Sequence, residues 1–327
     1  MCRGRAEESR ESRLVRKDKI APVLAVTVST ERGARHVRPT ADELGGLVRG
    51  LGGRDGKFLV VQRLPDLPEV YIQVLREAGG EYVLEHRAGG PAWHFQVRLS
   101  SVERVVAAMT GWAAGSPGWD DGLTWRSLNF PVPDPPAPLE LAEAEREQLE
   151  ARVRLAVAAG YRTRADLAEL AEEYLATKER RPVSRPQAEA LADRLWTERV
   201  REQERWQGET DPERLTAAFA FLEEAGIVAR ENFACCRSCG LSEIGAEAPP
   251  GSRGFVFFHQ QCTEHAAAGQ GLSLYYGGFG SAEDTTAAVG REVVTALERA
   301  GLPTQWDGNP GTAIKVTPLD WRKRLVG

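Results

Sequence analysis

The proline-rich segment from Pro131 to Pro138 constrains the fold of this chain more than any other part of the sequence. It reads Pro-Val-Pro-Asp-Pro-Pro-Ala-Pro, and its five prolines cannot donate backbone hydrogen bonds. Such a run favours an extended, semi-rigid spacer. Because 327 residues are also too many for one ordinary core, the sequence predicts a small domain at 20–130, a linker at 131–138 and a second region at 139–327.

Segments of strand character dominate the first module. The apolar, β-branched run Val23–Val28 indicates a strand, and Thr40 and Glu43 have the spacing of a capping box that opens a short helix. Four more strand candidates follow at 57–61, 70–75, 82–85 and 93–99, with glycine-rich turns between them. A second helix is predicted at 102–114. This order predicts an antiparallel sheet covered on one face, which is an α+β domain.

The second region begins with helical periodicity and then changes to a mixed pattern. Amphipathic helices are predicted at 141–159, 164–178, 187–206 and 211–226. Strands and one helix follow at 227–233, 254–259, 272–276 and 286–299, with a closing hairpin around 304–316. The chain as a whole is therefore predicted to be α+β, with two modules that each contain a mostly antiparallel sheet with helices.

The charge balance argues against a nucleic-acid partner. The chain has 42 Lys and Arg residues against 47 Asp and Glu residues, a net charge of −5 at pH 7, so no strong basic field is present. No apolar run approaches the roughly 20 residues that span a bilayer, so we expect no membrane association. Residues 1–19 carry several arginines without the apolar segment that a secretory signal needs. They are interpreted as a disordered tail or an over-long start, with binding to an acidic surface as the second interpretation.

The cysteines indicate a compartment and a candidate metal site. Five are present, three of them within five positions, and this odd, clustered set is unlike a secreted disulfide framework. We therefore expect a cytoplasmic protein. Tetrahedral zinc takes four nitrogen or sulfur ligands, commonly as two short-spaced pairs. The C-x-x-C of Cys236 and Cys239 and the H-x-x-C of His259 and Cys262 are the predicted zinc ligands, with His265 as a substitute.

Other interpretations of the same residues stay open. Cysteine is among the most buried residue types, so these cysteines could fill a core, and His259 could be an ordinary strand-end residue. A catalytic interpretation pairs Cys262 with His265 as an activated thiol, or His259 with Glu264 as an acid and a base. The C-x-x-C could also perform redox chemistry. An enzyme or a thiol-redox protein is therefore the alternative function.

Three tryptophans of the first module receive different predictions. Tryptophan fills cores, but it is also enriched at binding hot spots. We expect Trp93 and Trp112 to lie in the core. Trp119 lies in the glycine- and proline-containing loop from Gly115 to Gly122, and it is the predicted partner-binding residue.

A set of short motifs distinguishes the second region. They are Asn232–Gly240, Phe257–Glu264, Leu274–Gly277, Val289–Arg291, Gln305–Gly308 and Leu319–Arg322. With these motifs, the sequence from about Leu139 to Gly327 resembles an uncharacterised bacterial domain family with no assigned function. In that family the position of Cys262 is usually Asp, which weakens zinc as a family-wide property. The resemblance points to His259 and the cysteine-rich segment without implying a role.

The first module has motifs of its own at Phe58–Gln62, Tyr82–Gly90 and the stretch from Trp112 to Trp125. With them it resembles small immunity-type proteins of bacterial toxin–antitoxin competition systems. This resemblance implies a protein that binds a partner and performs no chemistry. The expected function is therefore a non-catalytic binding protein, and its mildly acidic charge suits a basic protein partner such as a nuclease toxin.

Overall fold

The computed structural model describes residues 21–53, 56–279 and 283–325. The chain is α+β, as the sequence predicts, with a seven-stranded sheet in its N-terminal part and a five-stranded sheet in its C-terminal part. The predicted tail at 1–19 lies outside the described residues. Among the helices of the described ranges, none combines the length and the apolar composition that crossing a membrane would require.

Internal contacts divide the chain into two compact units. The first unit contains the described residues up to Gln62 together with Ile72–His86 and Phe95–Arg126. The second contains Arg63–Tyr71, Arg87–His94 and the described residues from Ser127 onward. The second unit therefore includes two short N-terminal segments as well as the proline-rich segment and the described residues that follow it.

The described residues of the N-terminal part form seven strands and two α-helices. They are β1 (Val26–Thr30), β2 (Arg35–Val37), α1 (Ala41–Arg49), β3 (Phe58–Leu67), β4 (Val70–Arg76), β5 (Tyr82–Ala88), β6 (His94–Leu99), α2 (Val102–Ala114) and β7 (Arg126–Ser127). The strand order is β2-β1-β3-β4-β5-β6-β7, with Val28 opposite His36 in the antiparallel β1–β2 pair. The sequence did not predict β2 or β7, because strands this short show no alternating pattern.

Both helices of the N-terminal part begin at a residue whose side chain caps the helix. The Thr40 hydroxyl accepts a hydrogen bond from the amide of Glu43, and the Glu43 carboxylate accepts one from the amide of Thr40 at 2.7 Å. Ser101 caps α2, and Gly115 ends it with a φ of 66°. The predicted helix over 102–114 is confirmed to the residue.

Strands β3 and β4 bury residues at alternate positions, as the period of two requires, whereas β1 and β5 bury consecutive residues. The fully buried residues include Val26, Val28, Leu59, Val61, Ile72 and Val74. Trp112 on α2 is buried, which confirms its core prediction. The same prediction for Trp93 was wrong, because this side chain is 62% exposed. Trp93 ends a short 3-10 helix before β6 and therefore lies outside the alternation of the strand.

The C-terminal part contains seven α-helices and five strands among its described residues. They are α3 (Glu143–Ala159), α4 (Arg164–Glu173), α5 (Arg185–Gln203), α6 (Asp211–Glu224), β8 (Ile227–Arg230), α7 (Arg237–Glu243), β9 (Gly254–Phe257), α8 (Gln260–Ala267), β10 (Leu272–Gly278), α9 (Glu283–Arg299), β11 (Thr304–Gln305) and β12 (Ile314–Val316). The sequence predicted all of them except α7 and α8, the two helices that carry the candidate ligands.

The second sheet has the order β11-β12-β10-β9-β8. Strand β10 pairs antiparallel with both β12 and β9, and β11 pairs antiparallel with β12, which confirms the predicted closing hairpin. Strand β8 instead runs parallel to β9, with Arg230 opposite Phe257. Parallel neighbours need a crossover connection, and α7 with the 3-10 helix Ile244–Glu247 lies in that connection.

Helices α3, α4 and α5 form a separate hydrophobic core within the second unit, around Leu149, Leu167 and Trp196. The segment Arg63–Tyr71 is bound to these helices through Asp66. The backbone oxygen of Asp66 accepts a hydrogen bond from the Trp196 indole at 2.7 Å, and its carboxylate accepts one from Arg164 at 2.7 Å. A residue far away in the sequence thus satisfies two polar groups of the helical layer.

Close packing of α7 on the second sheet depends on Gly240. A β-carbon at this position would lie 2.4 Å from Cε2 of Phe257, a fully buried residue of β9. Phe257 belongs to a small core cluster with Val228 and Ile244. Because Gly240 has no side chain, α7 can approach this cluster and hold its first turn, which contains Cys239, close to the sheet.

We predict that Gly240→Ala destabilises the protein by about 1–3 kcal/mol, since the added methyl group must displace a well-packed aromatic ring. Urea unfolding of the full chain followed by circular dichroism measures this free energy. Gly245→Ala is the matched control, because nothing lies within 4 Å of a β-carbon there. Equal stability of the two variants would contradict the packing role of Gly240.

Candidate metal centre

The segment after β8 is fixed at its start by the carboxylate of Glu231. This carboxylate accepts hydrogen bonds from the Tyr161 hydroxyl and the Thr216 hydroxyl, each at 2.5 Å, and from the Lys323 ammonium at 2.9 Å. Burial, followed by the adjacent Glu231 charge, raises the pKa of Tyr161 above its usual range, so the phenol stays a hydrogen-bond donor. The start of the cysteine-bearing segment is therefore a fixed point of the second unit.

The next residues bind the segment that follows β9. The amide of Phe233 donates to the backbone oxygen of Phe258 at 2.8 Å, and the amide of Gln260 donates to that of Ala234 at 3.2 Å. Asn232 and Ala234 have φ angles of 50° and 59°, the left-handed region that side chains other than glycine rarely adopt. Two such residues two positions apart bend the chain sharply, and the bend brings the cysteines towards α8.

Three cysteines lie together at this bend. The ligand atoms of Cys235, Cys236 and Cys239 all lie within 4.8 Å of one another, and the Sγ atoms of Cys235 and Cys239 are 3.6 Å apart. Cys236 is the N-cap residue of α7, and Cys239 lies in its first turn. Cys235 is exposed, while the other two are partly exposed. The three thiols thus form one cluster at the protein surface.

The spacing of these sulfur atoms suits a metal ion that prefers thiolates. With zinc–sulfur bonds of about 2.3 Å, two thiolates of a tetrahedral site lie about 3.8 Å apart. The observed 3.6 Å between Cys235 and Cys239 is close to this value. The cluster is therefore compatible with metal binding after small side-chain adjustments.

The proximity of the thiols shifts the pKa values of Cys236 and Cys239 in opposite directions. The backbone amide of Cys239, followed by the thiols of Cys239 and Cys235, lowers the pKa of Cys236. The thiols of Cys235 and Cys236 raise the pKa of Cys239 to about 11. Neighbouring thiols that share hydrogen bonds cannot all ionise equally easily, because ionisation of one thiol opposes ionisation of the next.

The predicted ligands His259 and Cys262 form a second, buried pair. Nε2 of His259 lies 3.4 Å from Sγ of Cys262, and both residues are no more than 5% exposed. The imidazole stacks on the ring of Tyr275 at 5.3 Å between centroids. Nδ1 of His259 is buried and has no hydrogen-bond partner among the described residues.

The four predicted ligands therefore lie in two separate groups, with Cys236 and Cys239 in one and His259 and Cys262 in the other. Among the described residues, the group with mutually close ligand atoms is Cys235, Cys236 and Cys239, and it does not include His259 or Cys262. The two groups are neighbours, because the guanidinium of Arg237 lies over the same Tyr275 ring, 5.0 Å from its centroid. Their proximity follows from the parallel β8 and β9, whose C-terminal ends meet at one edge of the sheet.

Cys235 is the site residue that sequence reasoning missed. It directly precedes the C-x-x-C pair, so a signal was present in the sequence. Zinc ligands typically occur as pairs separated by two to four residues, so Cys235, which is adjacent to Cys236, was not included among the predicted ligands. Its side chain joins the cluster because of the bend at Ala234, which the sequence does not reveal.

The buried pair does not have the properties of an activated catalytic thiol. Burial raises the pKa of Cys262, and burial followed by the charge of His265 lowers the pKa of His259. Both shifts favour the neutral forms, whereas an activated cysteine needs a thiolate beside an imidazolium. Glu264 is paired with Arg152 at 2.9 Å, so the predicted acid–base partnership with His259 has a competing charge partner.

Trp119, the predicted partner-binding residue, is partly buried in an aromatic cluster. Its ring meets those of His86 at 5.2 Å and Trp125 at 5.8 Å between centroids. The Trp119 β-carbon also lies close to Gly111 of α2, where an added β-carbon would be 3.0 Å away. Part of the Trp119 side chain is therefore used in contacts within the first unit that stabilise the loop from Gly115 to Gly122.

Comparison with known proteins gives one match. A family model described as a domain of unknown function (DUF6891) matches residues 142–325. No curated protein and no solved structure matches the chain. The matched range includes the cysteine cluster and the buried His259–Cys262 pair.

We predict that iodoacetamide at pH 7 modifies Cys235 at least about tenfold faster than Cys262 in the chelator-treated, folded protein. The reason is that Cys235 is exposed, whereas Cys262 is 4% exposed and burial raises its pKa. Peptide mass spectrometry over a time course measures both rates. The two rates should converge in urea, and fast modification of native Cys262 would show that the pair is open to solvent.

Proposed function

We propose that this chain, which belongs to the DUF6891 family of unknown function, is a non-catalytic binding protein whose cysteine cluster holds a structural zinc ion. The observation that carries the zinc site is the grouping of Cys235, Cys236 and Cys239 within 4.8 Å. Thiolates are soft ligands that zinc accepts readily. These cysteines would occupy three of its four tetrahedral positions.

The fourth position has a nearby candidate in His259. This histidine was a predicted zinc ligand, its Nδ1 is buried without a hydrogen-bond partner among the described residues, and it shares the Tyr275 ring with Arg237. A side-chain movement would be needed to bring it to the thiols. A water molecule is the other candidate, and the variant His259→Ala separates the two by its effect on zinc affinity.

A structural role suits the surroundings of the cluster. The segment before it contains Ala234 in a left-handed conformation, which costs free energy of order 1 kcal/mol or more. The core beneath α7 contains few fully buried side chains, namely Val228, Ile244 and Phe257. Small cores commonly need a metal or a disulfide to become stable, so zinc would stabilise this bend.

We predict that the purified chain binds about one zinc ion, and that Cys239→Ser loses it. At free zinc about 1,000 times the dissociation constant, binding should add about 4 kcal/mol to the free energy of unfolding. Elemental analysis gives the stoichiometry, and denaturant unfolding with and without chelator gives the stability.

Cys262→Ala is the matched control for that experiment. This cysteine lies outside the mutually close group, so its variant should keep the zinc. Loss of zinc from Cys262→Ala with an intact fold would instead support the ligand set of Cys236, Cys239, His259 and Cys262. Absence of zinc from the parent chain, even after reconstitution under reducing conditions, would sink the proposed metal site.

The proposed binding function has support in the first unit. One face of its sheet leaves Phe58 and Leu75 about 40% exposed, beside a cavity of about 290 Å³ that Glu85 also lines. The Glu85 carboxylate accepts hydrogen bonds from Gln73 at 2.7 Å and Gln96 at 2.6 Å, which fixes an acidic group beside exposed apolar side chains. Such a surface suits a basic protein partner of the kind that immunity-type proteins bind.

We predict that Phe58→Ser with Leu75→Ser abolishes capture of a protein partner from the native host, since exposed apolar side chains would contribute most of the contact. Affinity purification with quantitative mass spectrometry measures the capture. The control is Val132→Ser, which removes a 66% exposed apolar side chain from the proline-rich segment. A partner bound equally by parent, double variant and control would place the contact elsewhere.

A further inference from the structure

The thiols of Cys235 and Cys239 are close enough to react with each other. Their Sγ atoms are 3.6 Å apart, and a disulfide bond of about 2.05 Å needs an approach of about 1.5 Å. Cys235 is exposed and Cys239 is partly exposed. A soluble thiol reagent can therefore reach the pair, in contrast to Cys262, which is buried.

Chain geometry selects the partner of Cys235. Consecutive Cα atoms lie about 3.8 Å apart across a trans peptide, whereas unstrained disulfides need about 4.4–6.8 Å. Cys235 and its neighbour Cys236 therefore cannot form an unstrained bond with each other. Cys239 is four positions away and already in sulfur contact with Cys235, which makes it the favoured partner.

We propose that Cys235 and Cys239 form a redox-active dithiol that reduces small-molecule disulfides and closes into an intramolecular disulfide. This activity goes beyond zinc binding and needs no metal. It uses a pair other than the C-x-x-C, and Cys236 takes no part in the electron transfer. The oxidant is a low-molecular-weight disulfide such as oxidised glutathione.

The exchange proceeds in two balanced steps. The Cys235 thiolate attacks one sulfur of the oxidant, so that a mixed disulfide forms and one glutathione thiolate leaves and takes up a proton. Cys239 then loses its proton to solvent and attacks Sγ of Cys235, which expels the second glutathione thiolate. Two protein thiols are thereby oxidised by two electrons, and one external disulfide is reduced to two thiols.

Oxidation would also remove ligands from the cluster. A disulfide between Cys235 and Cys239 uses two of the three thiols that lie together. Zinc and the disulfide would therefore exclude each other, a consequence that rests on the proposed zinc site. Oxidised glutathione would then release zinc from the loaded chain, and the reduced chain would take it up again.

The test uses the full chain freed of metal by a chelator and treated with oxidised glutathione. Peptide mapping should find the Cys235–Cys239 disulfide within one chain, with Cys236 and Cys262 still present as thiols. Cys236→Ser should form the same disulfide as the parent. Cys239→Ser should stop at the mixed disulfide on Cys235, and Cys235→Ser should form no disulfide at Cys239.

Several results would overturn the proposal. They are a disulfide between Cys236 and Cys239, a disulfide between two chains, and unchanged thiol counts under conditions that oxidise a reference dithiol. Because the chain is metal-free in this test, its failure is distinguishable from failure of the zinc site. A chain that binds zinc but resists oxidised glutathione keeps the zinc proposal and loses this one.

Discussion

The carboxylate of Glu231 connects four segments of the second unit that lie far apart in the sequence. It binds Tyr161 before α4, Thr216 on α6 and Lys323 near the C-terminus. Its own position follows β8 directly, so these contacts fix the point from which the chain turns towards α7. Because Glu231 and Lys323 are both largely shielded from solvent, removing either charge would leave the other poorly compensated. The geometry of the cysteine cluster depends on this anchor.

The cysteines of this region differ in their exposure to solvent, and their expected chemistry differs accordingly. Cys235, Cys236 and Cys239 lie at the surface, where their thiols influence one another and a metal ion or a reagent can approach. Cys262 is buried against His259, and burial holds both in their neutral forms. Cys235 on the bend after β8 is exposed, whereas α8 buries one face and packs against β10. The metal site and the dithiol are therefore proposed for the surface cluster alone.

Local signals predicted most of the fold. The helix over 102–114 has a serine cap and a terminal glycine, so neighbouring residues define both of its ends. A complete capping box defines the start of α1 in the same way. Helices α7 and α8 have no side-chain capping hydrogen bond, and their amphipathic patterns are short. Helix propensity is weak over so few residues. The core prediction for Trp93 failed for a related reason. Its burial depends on its position in the tertiary structure, at the end of a 3-10 helix, and not on the residue type.

The sequence by itself determined the α+β class, most helices and strands, and the cysteine and histidine segments as the chemically distinctive part of the chain. Only the tertiary structure decided that Cys235 joins Cys236 and Cys239, and that His259 and Cys262 form a buried pair beside them. The physical reason is that the parallel β8–β9 pairing and the left-handed residues Asn232 and Ala234 set these distances. Both depend on contacts between residues remote in sequence, which spacing rules do not contain.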